Sequence, residues 1–140
     1  MKKKIVISAS ILDLCHQGHL NLLREMRKNG DITIMVLHDD YSCFLIKDKF
    51  PIWDLKRRKK ALKMTGLIDK IYITKKISPA DQFIKIIKKY KGSEFLYMRG
   101  DDNLNFPGIE VIKDNNIPIK YLKYTEGVSS TKLKDLLLQI

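Results

Sequence analysis

Two of the chain's three histidines, His16 and His19, fall within four residues of each other in the run Ser10-Ile11-Leu12-Asp13-Leu14-Cys15-His16-Gln17-Gly18-His19. An apolar stretch precedes this run and residues at helical spacing follow it, which places the pair on the first turn of a helix. Side chains at i and i+3 there project from one face, beside backbone N–H groups that have no intrahelical partner and attract anions. Imidazoles so placed can donate hydrogen bonds to phosphate oxygens and neutralise the charge that builds up in phosphoryl or nucleotidyl transfer. Spacing alone leaves a helix cap or a packed core pair open, and also a zinc site made from His16, His19 and Asp13. A second cluster, Tyr124-Thr125-Glu126-Gly127-Val128-Ser129-Ser130-Thr131-Lys132, follows the last apolar run. Glycine followed by hydroxyl residues at a helix N-terminus suits a phosphate cradle, although Ser129 or Ser130 could equally be a plain N-cap.

Taken together, the two segments resemble the small cytidylyltransferases of the HxGH nucleotidyltransferase superfamily, and within them the glycerol-3-phosphate cytidylyltransferases. In that family the first loop reads G-x-F-D-x-x-H-x-G-H and the last reads R-T-E-G-I-S-T-T. The resemblance spans nearly the whole chain, and everything in the rest of this paragraph is what it implies. His16 and His19 hold the triphosphate and stabilise the transition state. Ser10, Ile11, Leu12 and Gly18 lie against the nucleotide, with backbone contacts from Ile11 and Leu12. Lys47 and Lys49, spaced as K-x-K, engage the acceptor phosphate and the nucleotide respectively, Lys49 as a catalytic residue. Arg58 joins Lys47 on the acceptor side. Asp101 and Asp102 match a G-D-D, and Thr125, Glu126, Gly127, Ser129, Ser130 and Thr131 complete the nucleotide pocket. The reaction is transfer of CMP from CTP, with Mg2+, to a small phosphorylated alcohol, releasing pyrophosphate, and the enzyme is a homodimer. Adenylyl transfer to a sugar phosphate or flavin precursor is the alternative within the superfamily. Outside it, the alternative is a non-catalytic basic binding module on the same fold.

The chain also departs from the family pattern. Ser10 replaces the first glycine, Leu12 the phenylalanine, and Tyr124 the arginine that opens the last motif. Lys123 and Arg99 are the nearby residues that could replace that charge. Gln82 stands near the place of the family's acceptor-binding lysine.

The elements that must position these residues read clearly. Strand-like runs cover residues 4–9, 32–37, 70–73, 94–98 and 118–122. Helical patterns fill the gaps: 20–26 up to Asn29-Gly30, 53–67, 79–90 with Phe83, Ile84, Ile87 and Tyr90 as one stripe, 106–115 and 130–138. The segment with Lys47 and Lys49, which also carries Ser42, Asp48 and Pro51, reads as a long loop. Strand and helix alternating with short connections predict an α/β fold, a Rossmann-like, doubly wound, parallel five-stranded sheet with helices on both faces. Ligands bind such sheets beyond the carboxyl ends of the strands, where strand order reverses.

Composition sets the outer bounds. A length of 140 residues predicts one domain, and 44% hydrophobic residues allow it a core of its own. The net charge of +11 favours anionic partners, but 22 lysines and 19 isoleucines beside three alanines indicate a compositional bias that accounts for part of it. No apolar run is long enough to span a membrane, and Lys2-Lys3-Lys4 before a short apolar stretch lacks a cleavage site, so a cytoplasmic protein is expected. Cys15 and Cys43 are too few for a disulfide framework and read as small packing residues. The basic run from Lys56 to Lys60 invites a nucleic-acid reading. Five consecutive helical residues, however, point all round the helix at ~100° each, so most of them face solvent. Neither a nucleic acid nor a membrane is expected as a partner.

Overall fold

In the computed structural model, which describes residues 2–101 and 104–123, the five apolar runs form one parallel sheet. The strands are β1 (Lys4–Ser10), β2 (Ile32–His38), β3 (Lys70–Thr74), β4 (Glu94–Gly100) and β5 (Ile119–Leu122). Between them run α1 (Gln17–Asn29), α2 (Asp40–Lys47), α3 (Leu55–Met64), α4 (Ala80–Lys89) and α5 (Ile109–Asp114). The sheet order is β3-β2-β1-β4-β5, so the chain starts in the middle, winds out to one edge, and returns to the other side of β1. Strand order therefore reverses between β1 and β4, and the loops leaving their carboxyl ends diverge to open a crevice.

Alternation along the strands divides the core between the two faces. Ile5, Ile7, Ile34, Val36 and Tyr97 pack with Phe83, Ile86, Phe106 and Ile112 from the side of α4 and α5. Val6, Met35, Leu37, Leu96 and Met98 pack with Leu23, Met26 and Leu62 from the side of α1 and α3. Burial on both faces is why β1 and β2 read as nearly continuous apolar runs, each large side chain contributing ~1.5–3 kcal/mol. Where α1 returns to β2 the fit is tight: a Cβ on Gly30 would lie 2.5 Å from Val6 Cγ2.

Several boundaries differ from the expected ones for local reasons. The pattern over 53–67 shortens to α3 because the Asp54 carboxylate caps it, accepting from Arg57 N–H at 2.9 Å. The pattern over 106–115 becomes α5 only after Gly108, whose φ of +90° stops a helix from starting earlier. On α4 the buried stripe runs through Ile86, whereas Ile84 is exposed. The supposed loop after β2 contains α2, capped by the Asp39 carboxylate on Ser42 N–H at 2.8 Å. The helix expected over 130–138 lies outside the described residues. No helix among the described residues is long and apolar enough to cross a membrane.

Candidate active site

β1 ends in the crevice, and the chain then turns through three non-glycine residues at positive φ: Leu12 (54°), Leu14 (64°) and Cys15 (36°). Each such residue costs ~1–3 kcal/mol and persists only where its surroundings over-determine it. Here they do: Leu12 is buried in the core beneath α1 and α3. Asp13 is buried too, its carboxylate accepting from Ile52 N–H at 2.9 Å and Trp53 N–H at 3.0 Å. The result is a rigid platform from which α1 starts.

His16 is the N-cap of α1 and His19 its third residue, and they cap the helix reciprocally. His16 Nδ1 accepts from Gly18 N–H at 3.1 Å, and His19 Nδ1 accepts from His16 N–H at 3.2 Å. Their rings stack with centroids 3.7 Å apart. A ring nitrogen that accepts from a peptide N–H carries no proton, so each neutral imidazole holds its proton on Nε2. The cap reading is therefore correct for both rings, and the backbone contacts fix the tautomer with the proton on Nε2. Burial lowers His19 to about 3, with the charges of His16 and Lys47 adding and Asp13 opposing. Burial and Lys47 also lower His16. Both rings are neutral near pH 7, and the positive charge of Lys47 adds to burial in holding them so.

Lys47 ends α2, and Asp48 closes the helix in a left-handed cap (φ 59°). Residues 45–50 are exposed, with Phe50 stacked on Phe44 at 4.8 Å and the Cys43 thiol donating to the Lys49 carbonyl at 3.7 Å. Arg58 behaves differently from what its match to the family implies. Its side chain is fully enclosed, with Nε–H on the Trp53 carbonyl (3.0 Å), Nη1 on the carbonyls of Ile11 (2.8 Å) and His38 (2.7 Å), and Nη2 on Asp40 Oδ1 (2.7 Å). In this structure Arg58 braces the crevice from behind and does not face it, because the acceptors around it are already in place. Its neighbours Lys56, Arg57 and Lys60 are exposed, as the helical geometry requires.

The remaining expected residues fall around the same edge of the sheet. Ser10 Oγ accepts from Leu12 N–H at 3.3 Å, and Asp101 follows β4 with its N–H on the Leu122 carbonyl at 2.9 Å. Arg99, near the end of β4, lies over the Phe106 ring at 4.5 Å. Gln82 lines a cavity of about 240 Å³ at the end of β3, with Thr74, Lys75, Lys76 and Asp81. Asp102, Tyr124, Thr125, Glu126, Gly127, Ser129, Ser130 and Thr131 lie outside the described residues. Among the described residues no three of His, Cys, Asp and Glu cluster to hold a metal ion.

Sequence reasoning passed over Asp40 and His38. His38, the third histidine, is buried at the end of β2 with Nδ1 3.1 Å from Ser42 Oγ, and burial lowers it to about 4 against the opposing charge of Asp39. A histidine closing an apolar strand was the available signal.

The family described as cytidylyltransferase-like matches residues 11–136 of this chain. Glycerol-3-phosphate cytidylyltransferase of Staphylococcus aureus is 32% identical over 132 residues, which is 94% of this chain and 92% of that protein. The bifunctional protein HldE of Blochmanniella floridana is 29% identical over 95% of this chain, and that of Desulfatibacillum aliphaticivorans 30% over 94%. The matches cover only 27% and 26% of those proteins, so the chain spans about a quarter of the HldE relatives. Among solved structures, the lipopolysaccharide core biosynthesis protein of Thermoplasma volcanium superposes with a TM-score of 0.63 at 22% identity, over 88% of this chain and 97% of that one. Pantothenate synthetase of Thermus thermophilus superposes at 0.55 and 13% identity, over 99% of this chain and 66% of that one. These two likenesses show a shared fold.

Proposed function

The chain belongs to the cytidylyltransferase-like family, and on that premise we propose that it transfers CMP from CTP to a small phosphorylated alcohol such as glycerol 3-phosphate. An oxygen of the acceptor phosphate attacks the α-phosphorus in line. The new P–O bond forms as the bond to the bridging oxygen of the β-phosphate breaks, and pyrophosphate leaves with the electron pair. The supporting observation is the stacked pair His16 and His19 at the N-terminus of α1, each with Nδ1 on the helix backbone and so with its proton on Nε2. Pre-set donors of this kind stabilise charge that develops on phosphate oxygens without reorganising during the reaction. A magnesium ion accompanying the triphosphate would supply positive charge against its oxygens. Lys49, Ser10, Gly18, Asp101 and the segment from Thr125 to Thr131 complete the nucleotide side, and the protein works as a cytoplasmic homodimer.

Incubation with each nucleoside triphosphate, magnesium and a panel of phosphorylated alcohols, with products identified by mass, tests the reading. A CDP-alcohol and pyrophosphate are the expected products. No transfer from any nucleotide would overturn the catalytic reading. A second reading, within the same superfamily, is adenylyl transfer to a sugar phosphate. An ADP-sugar formed in preference to any CDP-alcohol would establish it.

A further inference from the structure

The segment bearing Lys47 and Lys49 is open to solvent, yet both its ends are fixed. At one end Asp48 N–H closes α2 on the Phe44 carbonyl at 2.8 Å. At the other, Trp53 is gripped from two sides: its N–H goes to Asp13 Oδ1 and its carbonyl to Arg58 Nε–H, each at 3.0 Å. The second Asp13 oxygen takes Ile52 N–H. From the same point Arg58 reaches the carbonyls of Ile11, before the histidine turn, and of His38, before α2, while Asp40 supplies its counter-charge. Asp13 and Arg58 are 2% and 1% exposed, so water cannot replace a lost partner, and breaking one contact strands a buried charge. Only a planar, many-donor guanidinium can reach these acceptors at once, which a lysine ammonium cannot do.

We infer that Arg58 and Asp13 form a brace, joined at the Trp53 peptide, that sets the lysine-bearing segment in register with the histidine pair, with Asp40 holding Arg58 in place. Arg58 is then a positioning residue and not a ligand for the acceptor. Displacement of a phosphate-binding group by ~1 Å can cost about a hundredfold in rate, so a residue that touches no ligand can still control turnover. The kinetic consequence rests on the proposed function, but the brace itself does not.

The test therefore has two arms. In the first, backbone hydrogen exchange is measured on the protein alone for Asp40→Asn and Arg58→Lys. The amides of Ile52 and Trp53 should exchange at least about tenfold faster while β1, β2 and β4 keep their protection. Unchanged exchange at both amides overturns the brace. If Arg58→Lys fails to fold, Asp40→Asn decides, because Asp40 is part-exposed and contributes one contact. In the second arm, binding of magnesium–CTP is measured by calorimetry for Arg58→Lys, for Lys47→Ala/Lys49→Ala, and for the combination. Positioning predicts that Arg58→Lys weakens binding in the parent but by less than about threefold once both lysines are gone. An equal fold-loss in both backgrounds means that Arg58 acts on the ligand directly and overturns the assignment. A parent that binds no CTP would count against the proposed function, and the exchange arm would still decide the brace.

Discussion

His16 and His19 each have two roles in the proposed reaction: Nδ1 caps the α1 backbone, and Nε2, which holds the proton, is the proposed donor to phosphate. Substitutions can separate the two roles. His16→Asn keeps a good N-cap and should melt close to the parent, while His16→Ala should lose ~1 kcal/mol of stability as well. Turnover should fall by about two to four orders of magnitude in both variants and in His19→Ala, as steady-state kinetics will show. A normal rate in His16→Asn would remove the donor from the mechanism. The depressed values of His19 and His38, about 3 and about 4 against 6.5 for a free side chain, have a consequence for stability. Between those values the unfolded chain binds more protons than the folded one. Stability is therefore complete above about pH 6.5 and is lost as the pH falls towards 3–4. Melting temperatures from pH 7 down to pH 4 should fall, and less steeply in His38→Asn.

At the scale of elements, α2 and the segment after it carry the charge that the histidines lack. Lys47→Ala and Lys49→Ala should raise the apparent KM as well as slow turnover, since each lysine would meet a phosphate already present in the ground state. Kinetics unchanged in both would reduce them to surface charge. α2 itself was not legible in the sequence. Its buried residues are Ser42 and Cys43, while Tyr41, Leu45 and Ile46 face outward, so its hydrophobic pattern does not mark a core-facing side. The strands and the other described helices were legible because their periodicity reports burial. The histidine pair was legible because its geometry is local, three residues within one turn. The brace was not, because the contacts of Asp13 with Trp53 and of Arg58 with Ile11 join residues 40 and 47 apart, a separation that periodicity does not encode. A match to a family arginine placed Arg58 near the site without showing which way its guanidinium faces.

For the molecule as a whole, the alternating pattern led correctly to a doubly wound parallel sheet, since only burial on both faces lets strands such as β1 and β2 be apolar along their length. The strand order carries a further consequence. β1 precedes the other four strands of the sheet in the chain and is the most central, with β2 on one edge and β4 on the other. Its second edge stays unpaired until Glu94–Gly100 has been synthesised, and Ile5, Val6 and Ile7, which have no exposure in the finished protein, stand beside that open row of peptide groups. A nascent or truncated chain that stops short of β4 thus presents an apolar strand meant for the core as a bare edge, the form that recruits other chains. A fragment of residues 1–93 should aggregate at concentrations where the full chain stays dispersed, and adding a separate fragment of residues 94–140 should restore solubility, as light scattering can follow.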